Sequence, residues 1–295
     1  MSNSDSSRMG LLKSGLADSP SLHWAAVDLC GPLREAVERL DLSPVAAGAL
    51  GRCLTGAVLL QGMAITTPGR LVLGISGDGP LSRVMAEVEK SGNVRGMVSA
   101  PRVELPTSEQ EDLGDARAMG SGLMQVWREE GRHSYRSQVS IDAGRIGNAL
   151  THYLEQSEQT RSAVLLGVLA EKSGVAAAGG MMLEVLPRPD DDLELDHLEE
   201  RLRGLSGVSR LLASDGLDGL IDKVLGMSNA TVLEERKIRY HCSCTGSTVR
   251  RYLQGLETGE IEELRTEAGT LEAECVFCGR QYQFDDLDSE ESERP

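Results

Sequence analysis

Four of the six cysteines in this chain stand in two close pairs. Cys242 and Cys244 lie in the sequence RYHCSC, and Cys275 and Cys278 lie further along in CVFC. Thiolate sulfur is a good ligand for metal ions, and it is also the form of cysteine that oxidants attack. The two pairs therefore predict a metal site, a disulfide framework, or a site that changes between these two states.

The N-terminal sequence indicates the compartment, which in turn decides how the cysteines are interpreted. MSNSDSSRMGLLKSGLADS is polar apart from the step Leu11-Leu12, and it lacks the apolar core of a secretory signal peptide. We therefore expect a cytoplasmic protein. Because thiols are kept reduced there, paired cysteines more often indicate metal or redox chemistry than permanent disulfides.

The spacing within each pair favours a metal. In KIRYHCSC the alternation of residues predicts a strand that places Cys242 and Cys244 on one face. Their Cα atoms would then be about 6.6 Å apart, which is near the upper limit for a disulfide. The C-x-x-C pair is typical of a tight turn. Cys242, Cys244, Cys275 and Cys278 together could ligate one tetrahedral Zn²⁺, although four cysteines can also bind an iron–sulfur cluster.

The segment around these cysteines is too small to fold on its own core. Five of the nine aromatic residues of the chain fall between Lys237 and Phe284, and a unit of this size usually needs a further staple. A structural zinc supplies roughly 10–16 kcal/mol of apparent folding free energy. The sequence therefore permits a switch, with zinc bound in reducing conditions and disulfides with local unfolding after oxidation. It equally permits a purely structural zinc ribbon.

The longest apolar stretch of the chain predicts a helix over Ser43–Ala64. Ser43 suits the N-cap position and Pro44 the first helical position. Its length raises the question of a membrane span, but Arg52 lies in its middle. Apolar residues surround most of the helix and glycines remove side chains, so we expect it to be buried inside the main domain.

Strands dominate the sequence from Arg70 to Pro187. Strand-like runs are GRLVLGISG, NVRGMVSAPRVEL, GLMQVWRE, SYRSQVSI, SAVLLGVLAE and GMMLEVLP. RIGNALTHYLEQSEQ has helical spacing. Few helices separate the strands, so the sequence predicts an α+β fold instead of repeated βαβ units. The glycines of GISGDG match neither a dinucleotide-binding nor a Walker sequence, and we interpret this motif as a turn.

Changes in composition divide the chain into four parts. We predict a main α+β domain over residues 20–187, a helical linker region over 188–236, a zinc-binding redox-switch domain over 237–284 and an acidic tail over 285–295. Leucines at spacings of three and four indicate helices from Leu193 to Arg236. The glycines in the same stretch weaken these helices.

Several motifs together resemble one known family, the thirty-three-kilodalton heat-shock chaperonins. The resemblance is carried by CSC with CVFC and the trailing YQF, by GISGDGPL with NVRGMV, and by AAAGGMMLEVLP, and it covers roughly Trp24 to Phe284. It implies a main domain like a β/α/β sandwich, with a helix between two sheets. It also implies one Zn²⁺ in the reduced, inactive state, and zinc release on oxidation. Thr245-Gly246 departs from the charged helix start that members commonly carry.

The same resemblance implies how the cysteines react and what the protein binds. Oxidation is expected to form the neighbouring disulfides Cys242-Cys244 and Cys275-Cys278. The active form is expected to be a homodimer that binds unfolded or partly folded client proteins without ATP.

Our leading hypothesis is therefore an oxidation-activated holdase chaperone with no enzymatic activity. The first alternative is a thiol-disulfide oxidoreductase centred on Cys275 and Cys278. The second is a structural zinc-ribbon module that binds nucleic acid or a protein. The net charge of -16 argues against binding to nucleic acid or to an anionic membrane.

The remaining cysteines and the neighbouring histidine are expected to have no part in the metal site. Cys30 and Cys53 stand alone among apolar residues, so we interpret them as small buried hydrophobic side chains. His241 should face away from Cys242 on a strand, and we expect it not to be a ligand.

Overall fold

The computed structural model describes residues 7–64, 69–105, 117–142, 145–187, 192–205, 207–226, 229–265 and 269–287. The chain forms two compact units, Met1–Tyr240 and His241–Pro295. Residues 188–191, which follow the predicted boundary at residue 187, and residues 288–295 of the predicted acidic tail lie outside the described residues.

A ten-stranded sheet is the framework of the first unit, with strand order β7-β6-β3-β4-β5-β10-β1-β2-β9-β8. The strands are β1 Met9–Asp18, β2 Ser21–Asp28, β3 Arg70–Gly77, β4 Arg83–Glu89, β5 Asn93–Val98, β6 Gly122–Glu130, β7 His133–Ile141, β8 Ser162–Glu171, β9 Gly174–Val185 and β10 Ala230–Tyr240. Neighbouring strands are antiparallel except β5 and β10, which are joined by a short parallel pairing. Strand β10 therefore connects the two halves of the sheet.

Five helices with bounds given by the structure accompany this sheet, in addition to a short helical piece at residues 117–119. They are α1 Cys30–Leu40, α2 Pro44–Gly62, α3 Ile146–Tyr153, α4 Asp192–Arg203 and α5 Val208–Leu225. A π-helical turn, Leu154–Glu158, continues α3. The helix predicted in RIGNALTHYLEQSEQ is confirmed.

Helix α2 lies at the centre of the first unit, as its composition predicted. The Ser43 hydroxyl caps it by accepting a hydrogen bond from the Ala46 amide at 3.3 Å. A Cβ added at Gly51 would lie 2.9 Å from Val168 on β8, and one at Gly56 would lie 3.2 Å from Leu73 on β3. Because strands from distant positions in the sheet touch the same helix, the sheet must curl around it.

Helix α2 also answers the membrane question raised by its composition. By length and apolar content it is the one helix in the described part of the chain that could cross a membrane. However, 94% of its most apolar 18-residue stretch is buried inside the fold. Its apolar surface is therefore explained by the protein core.

The predicted α+β class with a buried helix is confirmed, and the structure adds one detail to the sandwich-like arrangement. The two layers around α2 belong to a single sheet, because β10 pairs with β1 on one side and with β5 on the other. The main core between the layers includes Leu50, Leu54 and Leu73.

A second apolar core covers the outer face of the sheet around β2, β8 and β9. Helices α4 and α5 supply one side of it, and Trp24 and Met181 belong to the other side. The helices predicted from Leu193 onwards are thus confirmed up to Leu225.

The prediction of helix for the end of this region is wrong. Residues 230–236 belong to strand β10, which pairs with β1 from Ala17↔Ala230 to Met9↔Arg239. The segment contains Thr231 and Val232, which favour strands. It is extended because it occupies the position in the sheet between β1 and β5, where its backbone pairs with β1. Strands β1, β2 and β4 were not predicted, because their glycines, serines and charged residues obscure the alternation of buried side chains.

The predicted division at residues 187 and 236 stays a prediction. The main sheet extends beyond the limits predicted for the main domain, since β1 precedes residue 20 and β10 follows residue 187.

Four short elements lie in the described part of the second unit. They are α6 Gly246–Leu253, α7 Thr258–Glu263, β11 Leu271–Glu274 and β12 Gln281–Phe284. Strands β11 and β12 form a separate antiparallel pair.

Candidate metal centre

The first cysteine pair follows directly after strand β10. The strand ends at Tyr240, so the prediction that Cys242 and Cys244 lie within a strand is wrong. The predicted alternation nevertheless continues, because Cys242 is buried, Ser243 is exposed and Cys244 is half-buried. Both thiols therefore point toward the interior of the second unit.

The second pair forms the turn between β11 and β12, as the C-x-x-C spacing predicted. The Cys275 carbonyl accepts hydrogen bonds from the amides of Cys278 at 3.2 Å and Gly279 at 2.8 Å. The Cys275 amide donates to the Arg280 carbonyl at 2.9 Å. Gly279 has a φ of 68°, a left-handed conformation that glycine adopts without strain. These bonds fix the turn that presents both sulfurs to one side.

The four sulfurs converge on one point. Cys242 Sγ lies 3.7 Å from Cys275 Sγ, and Cys244 Sγ lies 3.4 Å from Cys278 Sγ. All four sulfurs lie within 4.8 Å of one another, and none is in a disulfide. A tetrahedral ion with metal–sulfur bonds of about 2.3 Å would hold its sulfurs about 3.8 Å apart. The four cysteines are therefore arranged so that they can hold one metal ion.

Without a metal ion, the cluster disfavours negative charge on its thiols. The hydrogen bond with Cys242, together with burial, raises the pKa of Cys275 well above its ordinary value. Burial and the hydrogen bond with Cys244 raise the pKa of Cys278 to about 11. A bound cation would reverse this preference, because metal ions bind and stabilise the thiolate.

Tyr282 touches the cluster from strand β12. Its hydroxyl donates a hydrogen bond to Cys244 Sγ at 3.1 Å, and burial followed by this contact raises the pKa of Tyr282 to about 12. Donors of this kind orient metal ligands and balance their charge. In the sequence, Tyr282 was counted only as one of the five aromatic residues between Lys237 and Phe284. The alternation in QYQF was the available signal, since it places Tyr282 and Phe284 on one face.

A small apolar core supports the centre. Its buried members are Leu253, Leu271, Tyr282 and Phe284. Thr245 caps α6 by accepting a hydrogen bond from the Thr248 amide at 3.2 Å, so a polar residue starts this helix in place of a charged one. Three of the five aromatic residues in the predicted segment do not join this core: Tyr240 belongs to the first unit, Tyr252 is 71% exposed, and Phe277 is half-buried in the C-x-x-C turn.

The residues predicted to lie outside the site do so. Cys53 is fully buried, as predicted, whereas Cys30 is only half-buried, so the prediction of a buried side chain is confirmed for Cys53 alone. Burial raises the pKa of both thiols. His241 is exposed, and the cluster found among the described residues consists of the four paired cysteines.

The C-x-x-C turn also bears on the oxidoreductase alternative. Thiol-disulfide centres of that class normally stand at the start of a helix, which lowers the pKa of the attacking thiol. Here the described residues after Cys278 form strand β12, and the pKa of Cys278 is raised. The turn therefore lacks the helix on which such centres depend.

Comparison with known proteins gives the family. The model of the family described as Hsp33 protein matches residues 11–285, which include all four paired cysteines. The chain belongs to the Hsp33 family. A 33 kDa chaperonin of Latilactobacillus sakei is 32% identical over 278 residues, covering 92% of this chain and 94% of that protein. A 33 kDa chaperonin of Thermus thermophilus is 35% identical over 288 residues, covering 94% and 84%.

A solved structure agrees with this Hsp33 assignment. The crystal structure of a 33 kDa chaperonin from Thermotoga maritima matches with a TM-score of 0.83 and 30% identity, covering 94% of each chain. The resemblance found in the sequence is therefore confirmed. Membership of the Hsp33 family and the four-cysteine cluster both fit a chaperone.

Proposed function

We propose that this protein is a redox-regulated, ATP-independent holdase chaperone that holds one Zn²⁺ when reduced. The observation that carries the proposal is the convergence of four free thiols within 4.8 Å in a unit with a very small apolar core. Zinc in a site of four cysteines supplies folding free energy and does no chemistry itself. Cys242, Cys244, Cys275 and Cys278 would be its ligands.

The sulfur spacing favours a single ion over an iron–sulfur cluster. The Sγ–Sγ distances of 3.7 Å and 3.4 Å are close to the sulfur–sulfur edge of one tetrahedral ZnS₄ site. An iron–sulfur cluster spreads its cysteine ligands over at least two iron atoms and needs them further apart. Metal analysis together with visible absorption distinguishes these cases.

Oxidation is the proposed trigger. Two molecules of peroxide would accept four electrons from the four thiolates and take up four protons, which forms two S–S bonds and four molecules of water. The proposed disulfides are Cys242-Cys244 and Cys275-Cys278. Two short Sγ–Sγ contacts in the structure join the two pairs crosswise, so peptide mapping of the oxidised protein is the test of the pairing.

Loss of the ligands is proposed to unfold the second unit and to loosen helices α4 and α5. These helices are weak by themselves: α5 is interrupted at Gly216, and Leu198 is the one apolar side chain of α4 that is buried. The surface under them contains Trp24, Met181 and other fully buried apolar residues. Uncovered apolar surface of this kind binds unfolding proteins.

The proposed partners follow from the same mechanism. They are unfolded or partly folded client proteins and, in the oxidised state, a second copy of the chain. Binding of clients through exposed apolar surface requires no ATP. We also propose a cytoplasmic location and no binding to nucleic acid or membranes, and the net charge of -16 supports the latter.

The decisive experiment compares the reduced, metal-loaded protein with the peroxide-treated protein. Each is added to a heat-denatured client whose aggregation is followed by light scattering, while metal release and free thiols are measured in parallel. We expect suppression of aggregation only after about four thiols and one metal ion per chain are lost. Equal suppression by both forms would show that oxidation is not the trigger. Rapid reduction of insulin by the protein would instead support an oxidoreductase.

A further inference from the structure

Helix α5 consists of two halves that are attached to the sheet in different ways. Residues 208–215 and residues 217–225 are helical, and Gly216 between them has φ 69° and ψ -165°. A Cβ at Gly216 would meet no atom within 4 Å. The interruption therefore arises from the backbone conformation of Gly216 and not from close packing against a neighbouring residue.

The second half of α5 is held by burial and by polar contacts. Its buried residues are Leu217, Leu220, Ile221, Val224 and Leu225. Lys13 Nζ on β1 donates to Asp218 Oδ1 at 2.7 Å, and the Lys13 side chain is only 15% exposed. Asn229, just after the helix, accepts hydrogen bonds from the amides of Asp18 and Ser19 at 3.1 and 3.0 Å.

The first half is held mainly by its fit against two glycines. Only Ser209 and Leu212 are buried among residues 208–215. A Cβ at Gly167 on β8 would lie 2.4 Å from Ser209 N and 2.9 Å from Ser209 Cα, which are backbone atoms that cannot turn aside. Gly179 on β9 pairs directly with Gly167, and a Cβ there would lie 3.1 Å from Leu212 Cδ1.

We propose that Gly167 is a positioning residue: the absence of a side chain at this point lets the backbone of Ser209 lie against β8. Helices α4 and α5 together form the cover of the second apolar core. The first half of α5 is the part of this cover that leaves the sheet first, with Gly216 as the hinge. The second half stays in place until a later step. This inference rests on the proposed function only where it takes the release of α4 and α5 to expose the surface that binds clients.

The variant Gly167→Ala tests the inference in the full-length, reduced, metal-loaded protein. The added methyl group must displace the first turn of α5, since the atoms it meets are backbone. We expect amide hydrogen exchange in residues 211–215 to become roughly tenfold faster or more, while residues 217–225 and helix α2 keep their protection. Gly147→Ala is the matched control, because a Cβ there meets its nearest neighbour at 3.9 Å; its exchange should be unchanged.

A second variant covers the case in which Gly167→Ala does not fold. Leu212→Ser removes an apolar contact of the same half and leaves β8 unaltered, and it should produce the same regional pattern. Unchanged exchange in residues 211–215, or an equal rise in both halves, would overturn the inference.

Chaperone activity of the same reduced variants separates this inference from the proposed function. Faster exchange confined to the first half, with stronger suppression of client aggregation and with the metal retained, supports both. The same exchange pattern without any gain in activity supports the positioning role of Gly167. It contradicts the part of the proposed function in which loosening of α4 and α5 exposes the surface that binds clients.

Discussion

The hydroxyl of Tyr282 donates a hydrogen bond to Cys244 Sγ at 3.1 Å. The Tyr282 ring is also part of the small core of the second unit, where it stacks against Phe284 with the ring centroids 6.4 Å apart. One side chain thus links the proposed metal ligands to the apolar contacts that surround them.

The first prediction concerns this hydrogen bond. Tyr282→Phe keeps the ring and removes the donor, so we expect the unit to fold and its affinity for Zn²⁺ to fall by about 10-fold. Competition with a chromophoric chelator measures the affinity. Tyr252→Phe is the matched control, because Tyr252 is 71% exposed and should have no effect. A change of less than twofold in Tyr282→Phe would mean that the contact does not support the ligands.

The second prediction concerns the ligands themselves. Cys278→Ser removes a buried sulfur from the cluster, so we expect metal content after purification to fall from about one ion per chain to near zero. Elemental analysis of the purified protein measures it. Cys30→Ser is the control, since Cys30 is half-buried and lies in the first unit; its metal content should be that of the wild type. Full metal content in Cys278→Ser would exclude Cys278 as a ligand.

The third prediction concerns metal removal. Only four buried side chains form the core found in the described part of the second unit. This core is too small to replace the folding free energy that is lost with the metal, so chelation under reducing conditions should unfold the unit. Hydrogen exchange should show loss of protection in residues 245–284 and full protection of α2. If stoichiometric loss of metal left the protection of residues 245–284 intact, the unit would fold without metal and the proposed trigger would be wrong.

The fourth prediction concerns the ion pair between Lys13 and Asp218. Asp218→Asn should lower the free energy of unfolding of the reduced protein by about 1 kcal/mol, because Lys13 is largely buried beside it. Urea unfolding followed by tryptophan fluorescence measures this, and Trp24 in the same core provides the signal. Glu38→Gln is the control: its ion pair with Arg8 is exposed on both sides, and we expect a change below about 0.5 kcal/mol.

The pH dependence of the same pair has a defined sign. The hydrogen bond to Asp218 raises the pKa of Lys13 above its ordinary value. The resulting stability is therefore fully present below the unfolded pKa of about 10.4, and it is lost as the pH rises through the folded pKa. The difference between wild type and Asp218→Asn should be constant from about pH 6 to 9 and should shrink above the unfolded pKa. A difference that grew above that pH would contradict the assignment.

The sequence by itself determined the local features of this protein. The cysteine spacing predicted the four-sulfur cluster, the C-x-x-C pair predicted its turn, and Ser43-Pro44 with the apolar run predicted the buried helix α2. These features depend on residues close together in the chain, where side-chain chemistry and backbone preference act directly. The combination of motifs also indicated the family.

Only the tertiary structure decided the features that depend on distant pairings. Residues 230–236 became a strand because β1 pairs with them along their length, and Tyr240 joined the main core although its neighbours in sequence lead to the cysteines. Gly167 acquired its role only when α5 was placed against β8. Such contacts depend on which strand lies beside which, and local propensity carries little information about that choice.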